Sequence, residues 1–166
     1  MVDVETTGLD PKRDSIIEIA IVRVTDGAPP SEFYSLVRPG QQVSLSAMRV
    51  HGITPDELEG APSWGEVEAE VLRLLDGAVF VDHSANGFDR RFIEAALGAP
   101  LDCAYLSTLR LAKTLLPGLA DYSLGTLCRH ADVPLLAAHC ALDDARATAQ
   151  LLVKLLSDPR AALLAP

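Results

Sequence analysis

Met1-Val2-Asp3-Val4-Glu5-Thr6-Thr7-Gly8-Leu9 is the stretch that decides how the rest of the chain is read. Successive side chains of a strand point to opposite faces, so Asp3 and Glu5 share one face while Val2 and Val4 share the other. The valines call for a core, and the two acids become neighbours that repel. Such a pair is unfavourable unless a cation or hydrogen-bond donors sit between the carboxylates, and hard divalent cations prefer carboxylate oxygen. On these residues alone, an edge strand with a solvated acidic face is the alternative.

Working outward, residues 16–24 and 32–38 are apolar and β-branched runs bounded by Gly, Pro and Asp, which with residues 1–5 predict an antiparallel meander. Ser63 and Glu66 have capping-box spacing ahead of Val67, Val71, Leu74 and Leu75, so a helix is expected over 63–76. After it, 78–81 reads as a buried strand, 88–97 as a helix and 101–106 as another strand. That alternation favours parallel pairing and an α/β class. Further helices are expected at 108–115, 123–131 and 142–157, with Pro117 and Gly118 breaking the first and Pro134 ending the second.

The 166 residues contain no composition break and suit one domain, 1–157, followed by a loose tail, 158–166. With 49% hydrophobic and 22% charged residues the chain has the material for a core. No apolar run approaches the roughly 20 residues of a membrane span, and no basic segment followed by an apolar one opens the chain, so a soluble, cytoplasmic protein with no membrane partner is expected. Cys103, Cys128 and Cys140 are widely spaced and odd in number, which fits reduced thiols. A net charge of −9 argues against holding nucleic acid on a broad basic face. If nucleic acid is the substrate, bound cations must supply the positive charge.

Two helix-start acids extend the argument. Asp143 continues along its helix to Ala147, Gln150 and Lys154, a face expected in solvent, whereas Asp144 continues to Thr148, Leu151 and Leu155, a face expected on the sheet. Asp89 shares its stripe with Phe92, Ile93 and Ala96, while Arg90, Arg91 and Glu94 point elsewhere. Taken singly, each is equally an acid placed to suit the helix macrodipole. Taken with Asp3 and Glu5, they form a set of inward carboxylates that needs a counter-charge.

These four carboxylates, in this order and with these neighbours, resemble the DnaQ-like (DEDD) exonuclease superfamily, which includes the proofreading epsilon subunit of bacterial DNA polymerase III, RNase T and oligoribonuclease. Residues 2–9 are similar to its first motif, Phe88-Asp89-Arg90-Arg91-Phe92 to its second, and His139-Cys140-Ala141-Leu142-Asp143-Asp144-Ala145 to its third. His51-Gly52-Ile53-Thr54 is similar to the substrate-side segment of polymerase-associated members. His139, five residues before Asp144, marks the histidine (DEDDh) subclass. The chain departs from the pattern in His83-Ser84-Ala85-Asn86-Gly87-Phe88-Asp89, one residue longer than the usual second motif and lacking its Asn, so the loop must bulge. Asp82 replaces a small residue, and Ser107 precedes Thr108 where many relatives carry Asp. Only Met1 and Val2 precede Asp3, so the first strand is expected to look clipped or the natural start to lie upstream.

The resemblance implies a ribonuclease H-like exonuclease fold, a central five-stranded mixed sheet in the order 3-2-1-4-5 flanked by helices. It implies that Asp3, Glu5, Asp89 and Asp144 hold two divalent cations, Mg²⁺ or Mn²⁺, with His139 as general base in 3′–5′ hydrolysis of a nucleic-acid strand. Thr6, Thr7 and Gly8 would meet the terminal nucleotide through backbone amides, Leu9 would wedge against its base, and His51 and Ile53 would flank it. DNA is favoured over RNA as the partner, with a DNA polymerase subunit as a second partner. The rivals are an RNA 3′ trimming enzyme like RNase T or oligoribonuclease, and a noncatalytic polymerase-binding module.

Overall fold

A computed structural model describes residues 1–164. Val2–Thr6 (β1), Ile16–Arg23 (β2) and Ser31–Leu36 (β3) form the expected antiparallel meander, with β2 in the middle. Leu45–His51 (α1), Pro55–Glu59 (α2) and Trp64–Leu75 (α3) follow. Phe80–Asp82 (β4) and Tyr105–Ser107 (β5) pair in parallel on either side of Phe88–Leu97 (α4). Thr108–Leu115 (α5), Leu124–His130 (α6) and Ala141–Leu156 (α7) complete the helices. Where a tail was expected, Pro159–Leu164 forms a 3₁₀ helix, and Ala161 packs against the Leu151 and Leu155 cluster. Residues 165–166 of that tail lie outside the described residues. No helix of the described residues is long and apolar enough to cross a membrane.

The period of two in β1 holds: Val2 and Val4 enter a core with Ile19, Ile21, Val71, Phe80, Phe92 and Ile93. On the opposite face of the sheet, α7 lies along a seam of small residues, Ala20 and Val22 below it and Ala141, Ala145 and Ala149 on the helix. Small side chains let the two backbones approach closely. Asp143 does turn outward, pairing with Arg146 at 3.5 Å, but Ala147, assigned to the solvated face, is buried with Cys128 and Val133 beneath α6. Conversely, Ala96 is exposed at the far end of the Asp89 stripe, although Leu97 beside it still packs against the core.

The meander and the parallel pair form two hydrogen-bonded sheets, in the orders β1-β2-β3 and β4-β5. β4 lies beside β1, yet no ladder joins them among the described residues. Met1 and Val22 exchange backbone hydrogen bonds, so antiparallel alternation points the Val4 N–H away from β2, towards the free edge. There it donates at 2.9 Å to Asp89 Oδ1. A carboxylate from α4 thus takes the edge donor of β1.

Two elements went unpredicted. α1 starts at Ser44, whose hydroxyl accepts the Ala47 N–H, and α2 starts at a capping box of Thr54 and Glu57 with Pro55 in the first turn. Both carry helix-start chemistry, but α1 buries no residue and offers no apolar stripe to read. β5 begins at Tyr105 instead of residue 101, because Arg90 takes the carbonyls of Leu101 and Cys103 and Glu94 takes the Leu101 N–H.

Ala145 sits in the seam with no exposed surface. Ala145→Leu should lift α7 from β2 and destabilise the fold by about 1–3 kcal/mol, measured as a lower urea midpoint at unchanged slope. An unshifted midpoint would show that the seam is not tightly packed.

Candidate active site

Four elements bring acids to one end of the sheet. β1 contributes half-buried Asp3 and Glu5, the first turn of α4 contributes buried Asp89, the first turn of α7 contributes Asp144 at 9% exposure, and β2 contributes Glu18, directly across from Glu5. His139 precedes α7 with its backbone in the left-handed region, φ 65°. That turn directs its own N–H to Asp144 Oδ2 at 3.1 Å. Ligand-type atoms of Glu5, His139 and Asp144 lie within 4.8 Å of one another. Among the described residues that group joins three of the expected site residues; Asp3 and Asp89 are not part of it.

The carboxylates are held far from their usual proton affinity. Burial, then the charges of Asp89, Asp144, Glu5 and Glu18, push Asp3 well above the ordinary carboxylate range. Burial and the neighbouring Glu18, Asp144 and Asp89 push Glu5 to about 8. Asp89 rises to about 7, by burial first and then by the charge of Asp82, against the pull of the Val4 N–H. Burial raises Asp144 and Glu18 as well, although His139 and the Ala141 N–H respectively oppose the rise. Arg90 and Arg146 are engaged by Glu94 and by Glu32 and Asp143.

Asp144 Oδ1 is buried with no hydrogen-bond partner. A buried, unpaired carboxylate oxygen costs free energy that a cation would recover. Oxygen donors on Asp3, Glu5, Asp89 and Asp144, backed by one imidazole, are the donor set that Mg²⁺ or Mn²⁺ prefers. The residues present fit such ions.

Residues 1–152 match the family described as Exonuclease, RNase T. The chain belongs to this exonuclease family. It is 39% identical over 158 residues to the DNA polymerase III PolC-type protein of Thermotoga petrophila, spanning 93% of this chain and 11% of that protein. Against the PolC-type protein of Bacillus subtilis it is 35% identical over 161 residues, again 11% of the longer protein. Among solved structures, Exonuclease X in complex with 5′ overhanging duplex DNA superposes with a TM-score of 0.79 at 30% identity, covering 95% of this chain and 90% of that one. E. coli Exonuclease I in complex with a dA16 oligonucleotide shares the fold, with a TM-score of 0.80 at 20% identity over 98% of this chain and 41% of its own. The exonuclease family is one of nuclease-type hydrolases.

Beside this acid cluster lies a cavity of about 320 Å³ whose lining includes Glu5, Thr6, Gly8, Leu9, His51 and Phe88. Leu9 stands at its lip, 84% exposed. His51 Nδ1 accepts the Ile53 N–H at 3.0 Å, which leaves Nε2 as the protonated nitrogen, buried and without a partner. Burial, then nearby His139, lowers its proton affinity, against the pull of the Thr6 backbone. Two expected nucleotide contacts fall elsewhere. Ile53 packs with Ile17, Val43 and Leu58 because its strip of surface is closed by α2. Thr7 spends its N–H on Ser15 and its carbonyl on Ser44, so its amide braces the loop instead of facing the cavity. Gly8 is required by space: a Cβ there would lie 2.5 Å from Asp14 Oδ2, which is bonded to the Asp10 N–H.

In the longer second motif Gly87 takes a left-handed backbone, φ 68°, and Ser84 Oγ reaches forward to accept the Phe88 N–H that opens α4. Asp82, fully buried, accepts from Ser84 and from the Tyr105 hydroxyl and so holds the loop. Sequence reading missed three participants. Phe88 was read only as part of the second motif and the start of a helix, and Asp82 was noted only as a departure. Glu18 had a legible signal, a lone acid inside Ile16-Ile17-Glu18-Ile19-Ala20-Ile21-Val22.

A carboxyl whose affinity for protons is raised on folding binds them more tightly in the native state, so stability falls as pH climbs from its unfolded to its folded value. For Glu5 that window runs from 4.5 to about 8, and for Asp89 from 3.8 to about 7. In chelator, the melting temperature should drop between pH 5 and pH 8, Mg²⁺ or Mn²⁺ should restore it most at pH 8, and Glu5→Gln should flatten the slope. A slope identical in parent and Glu5→Gln would mean the carboxylates are not strained as described.

Proposed function

We propose that the chain is a two-metal 3′–5′ exonuclease domain that hydrolyses phosphodiester bonds at single-stranded or frayed DNA ends, of proofreading or repair type. The observation that carries this reading is the unpartnered Asp144 Oδ1 inside a cluster of raised carboxylates. Asp3, Glu5, Asp89 and Asp144 are the proposed cation ligands. The chemistry supplied by two bound divalent cations is charge neutralisation at the phosphodiester and a water that loses its proton near neutral pH. His139, on an exposed loop beside Glu5 and Asp144, takes that proton, and its backbone bond to Asp144 holds the loop in place. Thr6 and Gly8 with His51 bound the cavity for the terminal nucleotide, and Leu9 stacks on its base without reading its edge, which makes cleavage tolerant of sequence.

Similarity to PolC-type polymerases, and to an exonuclease solved with duplex DNA, supports DNA as substrate and a polymerase as partner. The position of β4 beside β1 supports treating the strands as one mixed sheet in the order 3-2-1-4-5.

End-labelled single-stranded DNA, duplex DNA and RNA, digested with Mg²⁺, Mn²⁺ or EDTA, test the proposal. The parent should shorten DNA from the 3′ end only with metal, and Asp144→Ala should be inactive. His139→Ala should lower kcat by about 10²-fold with the fold intact. Metal-independent digestion, or parental rates in His139→Ala at every pH, would overturn it.

A further inference from the structure

Glu18 is the acid that neither the proposed ligand set nor the nucleotide cavity uses. It is 3% exposed, in the central strand of the meander. Its Oε2 accepts the Ala141 N–H at 3.1 Å, across 123 residues of sequence. The first amides of a helix have no intrahelical acceptor, and at α7 the residue in the N-cap position, Cys140, supplies no side-chain cap. Ala141 is fully buried, so water cannot serve either. The missing cap comes from a strand instead of the adjoining loop. A charged acceptor at that end is favoured further by the helix dipole.

Ala141 lies two residues after His139 and three before Asp144, so the bond fixes the segment that carries both. The strand end of the same bond stands opposite Glu5. The geometry points to Glu18 as a positioning residue of the exonuclease site: by capping α7 from β2, it holds His139 and Asp144 in register with Asp3 and Glu5. This role rests on the exonuclease reading above. It differs from a ligand or proton-transfer role because it requires an acceptor oxygen at Ala141 and not a negative charge. A displacement of about 1 Å at a reacting group costs on the order of 10²-fold in rate, so a lost cap is felt in turnover before it is felt in substrate binding.

The test compares parent, Glu18→Gln, Glu18→Met and Asp144→Ala on end-labelled single-stranded DNA with Mg²⁺, together with amide hydrogen exchange at residues 141–144. Gln keeps an oxygen for the Ala141 N–H, and Met fills the space without one. Glu18→Met should lower kcat by about tenfold or more with KM within about twofold, and Glu18→Gln should bring kcat back to within about threefold of the parent. Exchange at 141–144 should quicken in Glu18→Met and stay close to parental in Glu18→Gln. If Glu18→Gln is as slow as Glu18→Met, the charge acts directly and the positioning role is overturned. Parental kcat or parental exchange in Glu18→Met overturns it equally. A parent that does not digest DNA, with Asp144→Ala indistinguishable from it, overturns the exonuclease reading instead, and the exchange comparison still decides the cap. Should Glu18→Met not fold, Glu18→Ala takes its place in both measurements.

Discussion

Mutual repulsion among acids withdrawn from water is the constraint on which this structure turns. Asp3, Glu5, Asp89 and Asp144 crowd one end of the sheet with Glu18 beside them, and burial drives each to hold its proton more tightly than a free carboxyl does. A fold selected for stability alone would replace them, since apolar residues of similar volume would remove both desolvation and repulsion. Their presence together is intelligible as stored electrostatic demand, which is the ground for the proposed cation ligands. The net charge of −9 belongs to the same logic, because 14 Lys and Arg against 23 Asp and Glu leave little positive charge to offset the cluster.

The surrounding scaffold makes that crowding possible by supplying backbone donors and close packing. Val4 lends an edge amide to Asp89, His139 lends one to Asp144, and Ala141 lends one to Glu18. Each carboxylate so held keeps part of its oxygen inventory free. The alanine seam under α7 brings the helix close enough for its first turn to meet the strand acids. Apolar burial on the other face, through Phe80, Phe92 and Ile93, provides the favourable free energy that offsets the strained end.

Most of this was legible from residue patterns where periodicity and chemistry agreed. The alternation in residues 1–5, the split between Asp143 and Asp144, and the capping box at Ser63 each predicted an orientation that the coordinates bear out. Failure came where tertiary contacts overrode local pattern. Ala147 lies on a polar stripe yet is roofed by α6, and the start of β5 was displaced by Arg90, whose reach to Leu101 and Cys103 no local propensity encodes. The role of Glu18 depends on a helix start 123 residues away, which one-dimensional spacing cannot supply. Thr7 and Ile53 were assigned by likeness to a motif, and their hydrogen bonds and packing place them behind the cavity wall.

The backbone of His139 adds a constraint of a different kind. At φ 65° a side chain with a branched or bulky Cβ is strained, and Gly, Asn, Asp and His are the residues that occupy such a conformation most readily. Of these, only the imidazole has an unperturbed proton affinity near neutrality. Conformation and acid–base chemistry thus narrow the amino-acid alphabet at one position from two directions. Tyrosine or lysine grafted there would meet a steric toll before any question of proton transfer arose.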